Sequence, residues 1–413
     1  MKKYHLEGLA VISLGIILLI VFVLKVGFNI PPTQNTAAVI GSITSSKTPI
    51  LNRIDKPVPL NKFQVFLMGG ASESTTNPHF NDIFSSFDGQ NWKLISPQNS
   101  TTTSKWSPRM YFGANTVFFN NKMWVIGGVG PNPTGANQVW SSGDGINWTF
   151  VPSNAPNTCE QNIVVFNNKM WIVSSSGINQ GYYCGNIGYP QSHLYSSPDG
   201  ITWTAQTSVA PWGYLDWSSA VVFQGKIIVM GGRGYNSMYS RNTIWSSTDG
   251  TSWTHVDTDQ STAGIQDAPW GPRDNFTSLV FNNKIWILGG RYGNGTIEQA
   301  ILTDDIWSST NGINWTLELA NPPWSRHYQY SGGPYLKGIL FGHSSFVLNN
   351  KMFIVHGKEP SQICNTPGNC GLYGQIWSSP DGLNWTQVIP TGDPIPSRYG
   401  LSTVVVPVSN SQI

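Results

Sequence analysis

The sequence predicts an all-β chain of six similar four-stranded units closed into a ring, and three observations carry that reading. The first is a motif met six times: an aromatic residue, two serines, an Asp-Gly or Asn-Gly pair and, three residues on, a tryptophan. Its copies run Phe84–Trp92, Trp140–Trp148, Tyr195–Trp203, Trp245–Trp253, Trp307–Trp315 and Trp377–Trp385. The second is an apolar run broken by Asn-Asn-Lys or Gln-Gly-Lys and ending in Gly-Gly, as in Phe119–Gly128, Phe223–Gly232 and Phe281–Gly290. Phe166–Val173 and Leu348–Gly357 are relatives of it. The third is a mismatch at the ends. Phe63–Gly70 has the second strand of a unit but no first strand, and Arg398–Val406 supplies one without a second.

Each element follows from turn chemistry. Asp-Gly or Asn-Asn between two short apolar runs marks a tight hairpin, because Gly and Asn accept positive φ at little cost. Each unit therefore reads as apolar strand, Asn-Asn-Lys turn, apolar strand ending in Gly-Gly, long loop, aromatic strand, Asp-Gly turn and Trp strand. Repeats of this size, rich in short strands, signal a stacked or radial architecture. A C-terminal strand completing the N-terminal unit removes the open edges of such an array. The expectation is a six-bladed β-propeller over residues 61–408, closed by the strand at 398–406.

Composition agrees. The 413 residues are 39% hydrophobic and 11% charged, with 43 Gly, 27 Pro and 18 Trp, a profile of turns and strands rather than helices. A formal net charge of +2 gives no ground for nucleic-acid binding.

The N-terminus is organised differently. Residues 1–7 carry Lys2 and Lys3, and residues 8–28 are apolar apart from Lys25, long enough to cross a bilayer. The positive flank predicts a cytoplasmic N-terminus and an exported ring on a single-pass cell-membrane anchor. Secretion after signal cleavage is the alternative, ranked second because no small-residue cleavage site closely follows the apolar run. Residues 29–60, with Pro31, Pro32, Pro57 and Pro59, read as a flexible tether. Cys159 with Cys184, and Cys364 with Cys370, read as disulfides of an oxidising compartment rather than a metal site.

The apolar run ending in Gly-Gly, followed by an aromatic residue and a spaced Trp, resembles the repeat of kelch-type, galactose-oxidase-like propellers over nearly the whole ring. The Ser-x-Asp-Gly-x-x-Trp hairpin is similar to the Asp-box of sialidase-type propellers, with one residue fewer between Asp and Gly. These resemblances imply a fold that hosts many activities.

Strand alternation places every short turn on one face of the ring and every long loop on the other. Long loops on a rigid scaffold are where binding residues concentrate. Seven arginines fall on that side. Arg109, Arg273, Arg326 and Arg398 precede innermost strands, and Arg233 and Arg291 follow Gly-Gly directly, so these six should ring the channel mouth. The planar guanidinium suits a carboxylate or sulfate. Any single arginine reads first as paired to a neighbouring carboxylate such as Asp216 or Asp274; the cluster as a whole is the candidate ligand site. Trp106 and Trp270 read as caps of their blades, whereas Trp212, Trp217 and Tyr328 are candidates for ligand contact, with Asp216 and His327 beside them.

No metal site, cofactor motif, phosphate loop or nucleophile elbow is present, and the hairpin aspartates read as turn formers. The expected function is a membrane-anchored, monomeric, extracytoplasmic module binding a glycan or a surface protein through the long-loop face. The alternative is a carbohydrate-active enzyme, sialidase- or sugar-epimerase-like, using the arginine-lined mouth; catalysis is the less supported of the two.

Overall fold

The six hairpins of the repeat close around a shared core of hydrogen bonds from serine and the Asp or Asn of the turn. In Ser142–Trp148 the Ser142 hydroxyl accepts from the backbone N–H of Gly145 at 2.8 Å and donates to Asp144 at 3.0 Å. One Asp144 oxygen accepts the N–H groups of Ile146 and Asn147, both at 2.8 Å, and the other accepts the Asn147 amide at 2.8 Å. The Trp148 indole N–H then donates to the Gly145 carbonyl at 3.1 Å. Ser379–Trp385 repeats the arrangement; in Ser309–Trp315 Asn311 takes the acidic position, accepting from Ile313 and Asn314 at 2.9 and 2.8 Å, while the Trp315 indole N–H makes no hydrogen bond to the glycine.

The Asn-Asn turns have their own logic. Asn120 and Asn121 hold φ of 48° and 57°, and the same pair of left-handed residues recurs at Asn167–Asn168, Asn282–Asn283 and Asn349–Asn350. That is the backbone of a two-residue hairpin whose twist matches its strands.

The computed structural model describes residues 63–72, 79–99, 106–110, 116–128, 138–156, 162–173, 194–207, 210–213, 215–234, 240–256, 267–292, 301–325, 327–329, 335–337, 342–355, 357 and 375–408. They form six antiparallel blades. Ile163–Phe166, Ser219–Phe223, Thr277–Phe281 and Ser344–Leu348 are the innermost strands of blades 3 to 6, and Thr116–Phe119 that of blade 2. Blade 1 takes its innermost strand, Ser402–Pro407, from the C-terminal end, paired antiparallel with Phe63–Met68 so that Phe63 faces Pro407. The innermost strands touch in the order of blades 1 to 6 and back to 1, which closes the ring.

Hydroxyls tie the innermost strands together: Ser219 to Ser278 at 2.6 Å, Ser344 to Thr403 at 2.8 Å and Ser402 to Thr116 at 2.7 Å. Thr277 and the His343 imidazole meet at 2.8 Å. Thr391–Gly392 adds a short parallel strand to the outer edge of blade 1. The long connections of blades 5 and 6 carry two small ribbons, Arg291–Tyr292 with Ile301–Leu302 and His327–Gln329 with Tyr335–Lys337.

Blades pack through the hairpin glycine. A side-chain carbon at Gly145 would lie 2.2 Å from the Phe66 ring of the preceding blade, and one at Gly382 would lie 2.2 Å from Trp286. Gly89 meets Phe353, Gly200 meets Trp124 and Gly250 meets Trp171 in the same way, while Gly312 meets Ile228 at 3.2 Å and Ile285 at 3.6 Å.

The predicted span at 8–28, the tether at 29–60 and all four cysteines lie outside the described residues. Among the described residues no helix is long and apolar enough to cross a membrane.

Two predictions follow from the turns. Gly145→Ala combines the strain of φ 77° with a clash against an aromatic ring and should lower stability by about 3 kcal/mol, whereas Gly312→Ala should lose only about 1 kcal/mol; denaturant midpoints of the two variants measure the difference. The second concerns acid. Donation from the Asn384 backbone N–H, and then from the Asn384 amide, the Leu383 N–H and the Ser379 hydroxyl, pulls Asp381 down to about 2 against an opposing effect of burial. At Asp88, Asp144 and Asp199 burial opposes more strongly, but the turn donors still carry the net displacement downward. The stabilisation from Asp381 is complete above the unfolded carboxyl pKa, near 4, and is lost as pH falls through about 2; that from Asp88, Asp144 and Asp199 is likewise lost as pH falls below the unfolded value. Thermal unfolding followed between pH 5 and pH 2, both within roughly the carboxylate range, should show this fall. Asp144→Asn should flatten it and cost under about 1 kcal/mol, because Asn311 already closes the turn of blade 5; Asp144→Ala should cost about 1–2 kcal/mol.

Candidate functional site

Three of the six candidate arginines are structural. Arg398 is fully buried; it donates to the Gly69 carbonyl at 3.0 Å and forks onto both Asp82 oxygens at 2.5 and 2.9 Å. Arg273 holds the Gly289 carbonyl and Asp305, at 3.2 and 2.7 Å, and reaches back to the Trp270 carbonyl. Arg109 holds the Gly127 carbonyl and the Gln138 side chain, both at 2.8 Å. In each case one guanidinium joins the Gly-Gly end of the second strand to the start of the third. Burial pushes Arg109 down to about 10, which leaves it cationic at neutral pH. The expectation that these three line the mouth for a ligand is corrected by their burial, which leaves no surface to offer.

Trp212 is corrected for a similar reason. It is 4% exposed and packs edge-on against Trp253, with ring centroids 4.8 Å apart. Trp106 on Trp148, Trp270 on Trp315 and Trp324 on Trp385 repeat that contact, so the loop tryptophan closes the top of the next blade's hairpin strand. Arg326 lies outside the described residues. His327 and Tyr328 lie in the ribbon strand His327–Gln329, and their side chains are outside the described part.

Arg233, Arg291, Trp217 and Asp216 come together. The guanidinium carbon of Arg233 lies 4.0 Å, and that of Arg291 4.6 Å, from the centre of the Trp217 ring. Arg291 donates to Asp274 at 2.7 Å, and Asp274 takes a second bond from the Ser240 hydroxyl at 2.6 Å. Arg233 and Asp216 are further apart, at 3.8 Å. The Arg233 and Arg291 side chains keep 18% and 12% of their surface exposed, while Asp274 has none.

Local structure explains how the ring builds this cluster. Arg233 and Arg291 each follow Gly-Gly and bridge in antiparallel fashion to Asp216 and Asp274 of the same blade. The corresponding residue of blade 1 is Ala71, buried and bridged to Tyr399. Trp217, Asn275, Gly342 and Gly400 each stand two residues before an innermost strand, and all four are left-handed, with φ of 50°, 56°, 63° and 60°. Their backbones form a hydrogen-bonded lip: Asn275 N–H to Trp217, Gly342 N–H to Asn275 and Gly400 N–H to Gly342. Glycine or asparagine suits that conformation; a tryptophan there is strained by about 1–2 kcal/mol. The fold requires neither an arginine after Gly-Gly nor a tryptophan at the lip, and blades 4 and 5 supply both.

Sequence reasoning named Asp274 only as a pairing partner and missed Asn275 and Ser240. Aligning the residues two before the innermost strands of blades 1, 4, 5 and 6 would have exposed Trp217 as the departure from Gly and Asn.

No family model matches the chain. One curated protein similar to it is the "Immune evasion protein OPG047" of Monkeypox virus, 28% identical over 254 residues, which is 61% of this chain and 43% of the viral protein. The chain thus matches less than half the length of that relative.

Substitutions should separate the two kinds of arginine. Arg398→Ala strands the buried Asp82 carboxylate and should lower stability by about 3–5 kcal/mol. Arg233→Ala should cost less than about 1 kcal/mol, since its ion pair is long and partly exposed. Trp217→Gly should leave stability unchanged or raise it by up to about 1 kcal/mol through relief of the left-handed strain. Chemical denaturation of the three variants tests this ordering.

Proposed function

We propose that the protein is a recognition module, anchored to the membrane by residues 8–28 and exported, whose long-loop face binds a carboxylate-bearing surface of a partner protein. The observation that carries the reading is the placing of Arg233 and Arg291 over Trp217 at positions where blade 1 has Ala71 and Gly400. Two preorganised guanidiniums beside an indole form a recurrent anchor for acidic partners. The name of the viral relative, an immune evasion protein, supports a role in contacting another protein. The kelch-type resemblance of the repeat points the same way. Asp216 and Asp274 are both engaged by the arginines, which favours binding over acid–base chemistry at this place. An acidic glycan presents the same carboxylate and is the competing ligand.

The test is binding of the full chain in detergent to a panel of extracellular protein domains and, in parallel, to neutral and carboxylated glycans. Saturable binding to a protein domain, weakened about tenfold or more by Arg233→Ala and by Arg291→Ala, is expected. Binding confined to carboxylated glycans would transfer the site to sugar recognition. Binding that both alanine variants leave intact would remove the mouth from the function.

A further inference from the structure

The opposite face of the ring carries side chains that neither the turns nor the mouth employ. In the Asp-Gly hairpins the residue after glycine contributes only its backbone N–H to the turn, and Gln90 and Thr251 show that a polar side chain serves there. Yet the other four hairpins place Ile146, Ile201, Ile313 and Leu383 at that tip, 43%, 50%, 38% and 46% exposed. Blade 1, which has Gln90 there, instead exposes Phe87 at 48%, one residue before the turn aspartate. Five of six blades thus show water a large apolar side chain at the same level of the same face. Single exposed hydrophobics are ordinary; a set repeated around a ring marks a contact surface.

Nearer the axis the same face carries the Asn-Asn-Lys and Gln-Gly-Lys turns. Lys122, Lys169, Lys226 and Lys351 are exposed, and Lys284 pairs with Glu318 at 2.9 Å. The acidic groups of this face include Glu318, held by Lys284, and the five hairpin aspartates, each already accepting several hydrogen bonds inside its turn. Charge on the face is therefore near balance, and the apolar tips decide what it touches.

The topology says where the chain arrives. Phe63 pairs with Pro407 as Lys122 pairs with Phe119 in blade 2, so the ring's N-terminal strand starts at the short-turn face. The chain therefore enters the ring at Phe63 on this side.

We infer that the short-turn face rests on a phospholipid bilayer. The tips of Phe87, Ile146, Ile201, Ile313 and Leu383 enter the headgroup boundary, and the four exposed lysines lie at the phosphates, their stems lying along the apolar layer. The mouth at Trp217 is then presented away from the membrane. This inference rests on the reading of residues 8–28 as a span for delivery of the ring to the bilayer; the contact surface itself is read from the described hairpins.

The test uses the full chain reconstituted into phosphatidylcholine vesicles containing some phosphatidylglycerol, with photoreactive p-benzoylphenylalanine in place of Ile201, of Leu383 or, on the opposite face, of Tyr292. Lipid adducts about tenfold more abundant at Ile201 and Leu383 than at Tyr292 are expected, and high salt should leave them unchanged because the face is nearly neutral. A chain that stays with the vesicles but gives no lipid adducts at the two tips overturns this inference and leaves the span standing. Adducts at the tips to a second copy of the chain also overturn it, assigning the face to self-association. A chain that separates from the vesicles overturns both readings together.

Discussion

A glycine with nothing beyond its backbone, laid flat on a side chain of the preceding blade, is the contact on which the ring depends. It recurs at Gly89 on Phe353, Gly145 on Phe66, Gly200 on Trp124, Gly250 on Trp171, Gly312 on Ile228 and Gly382 on Trp286, so each blade docks on its predecessor and the first docks on the last. The rest of the hairpin serves that contact. Serine and aspartate hold the turn so that glycine faces its neighbour, and in every blade but the fifth the indole N–H of the following tryptophan ties down the glycine carbonyl. Blade 5 shows how the parts covary in one molecule: the least crowded glycine, Gly312, accompanies both the single Asn-for-Asp replacement and an aliphatic partner. Interiors packed this closely do not accept an added carbon without displacement.

The long-loop end of each blade is held by a different device. A buried arginine reaches across from the loop before the first strand and joins the second strand to the third, in blades 1, 2 and 5. Such a guanidinium answers backbone carbonyls that have no strand partner once the ladder ends. Blade 4 does without it: Leu215 stands in that place, and Arg241 instead donates to the Trp212 carbonyl at 3.0 Å. The blade that gives up the standard clamp is also the blade that brings Trp217 to the lip.

Blade number, strand order and ring closure were legible because each rests on local turn chemistry repeated six times. The division of the arginines was not. Pro-Arg before an innermost strand and Gly-Gly-Arg after a second strand both predict a guanidinium near the channel mouth, and only the fold shows that Arg398 turns inward to Asp82 while Arg233 stays half-open over Trp217. Trp212 and Trp217, five residues apart, were equal candidates. What separates them is a partner from another strand: Trp212 meets Trp253 of the next hairpin, an encounter no local pattern encodes. The backbone of Trp217 was hidden for the same reason, since a left-handed residue is forced by the neighbouring lip carbonyls and amides rather than by its own sequence.

The two arginines over Trp217 are not equivalent. Arg291 is fixed from below by Asp274, which is fully buried and itself anchored by Ser240, so its guanidinium plane is held in one orientation. Arg233 meets Asp216 at 3.8 Å, too long for a hydrogen bond, and is the more exposed of the two. A carboxylate arriving at the mouth would not have to break the tight pair. It would compete with Asp216 for Arg233 and find Arg291 already aimed, while the indole face excludes water from one side. Preorganisation of this kind reduces the ordering that a ligand must impose, which is where affinity is commonly lost. The strain held in the Trp217 backbone fits that economy: a small, fixed penalty in the free protein keeps one aromatic plane beneath both guanidiniums before any ligand arrives.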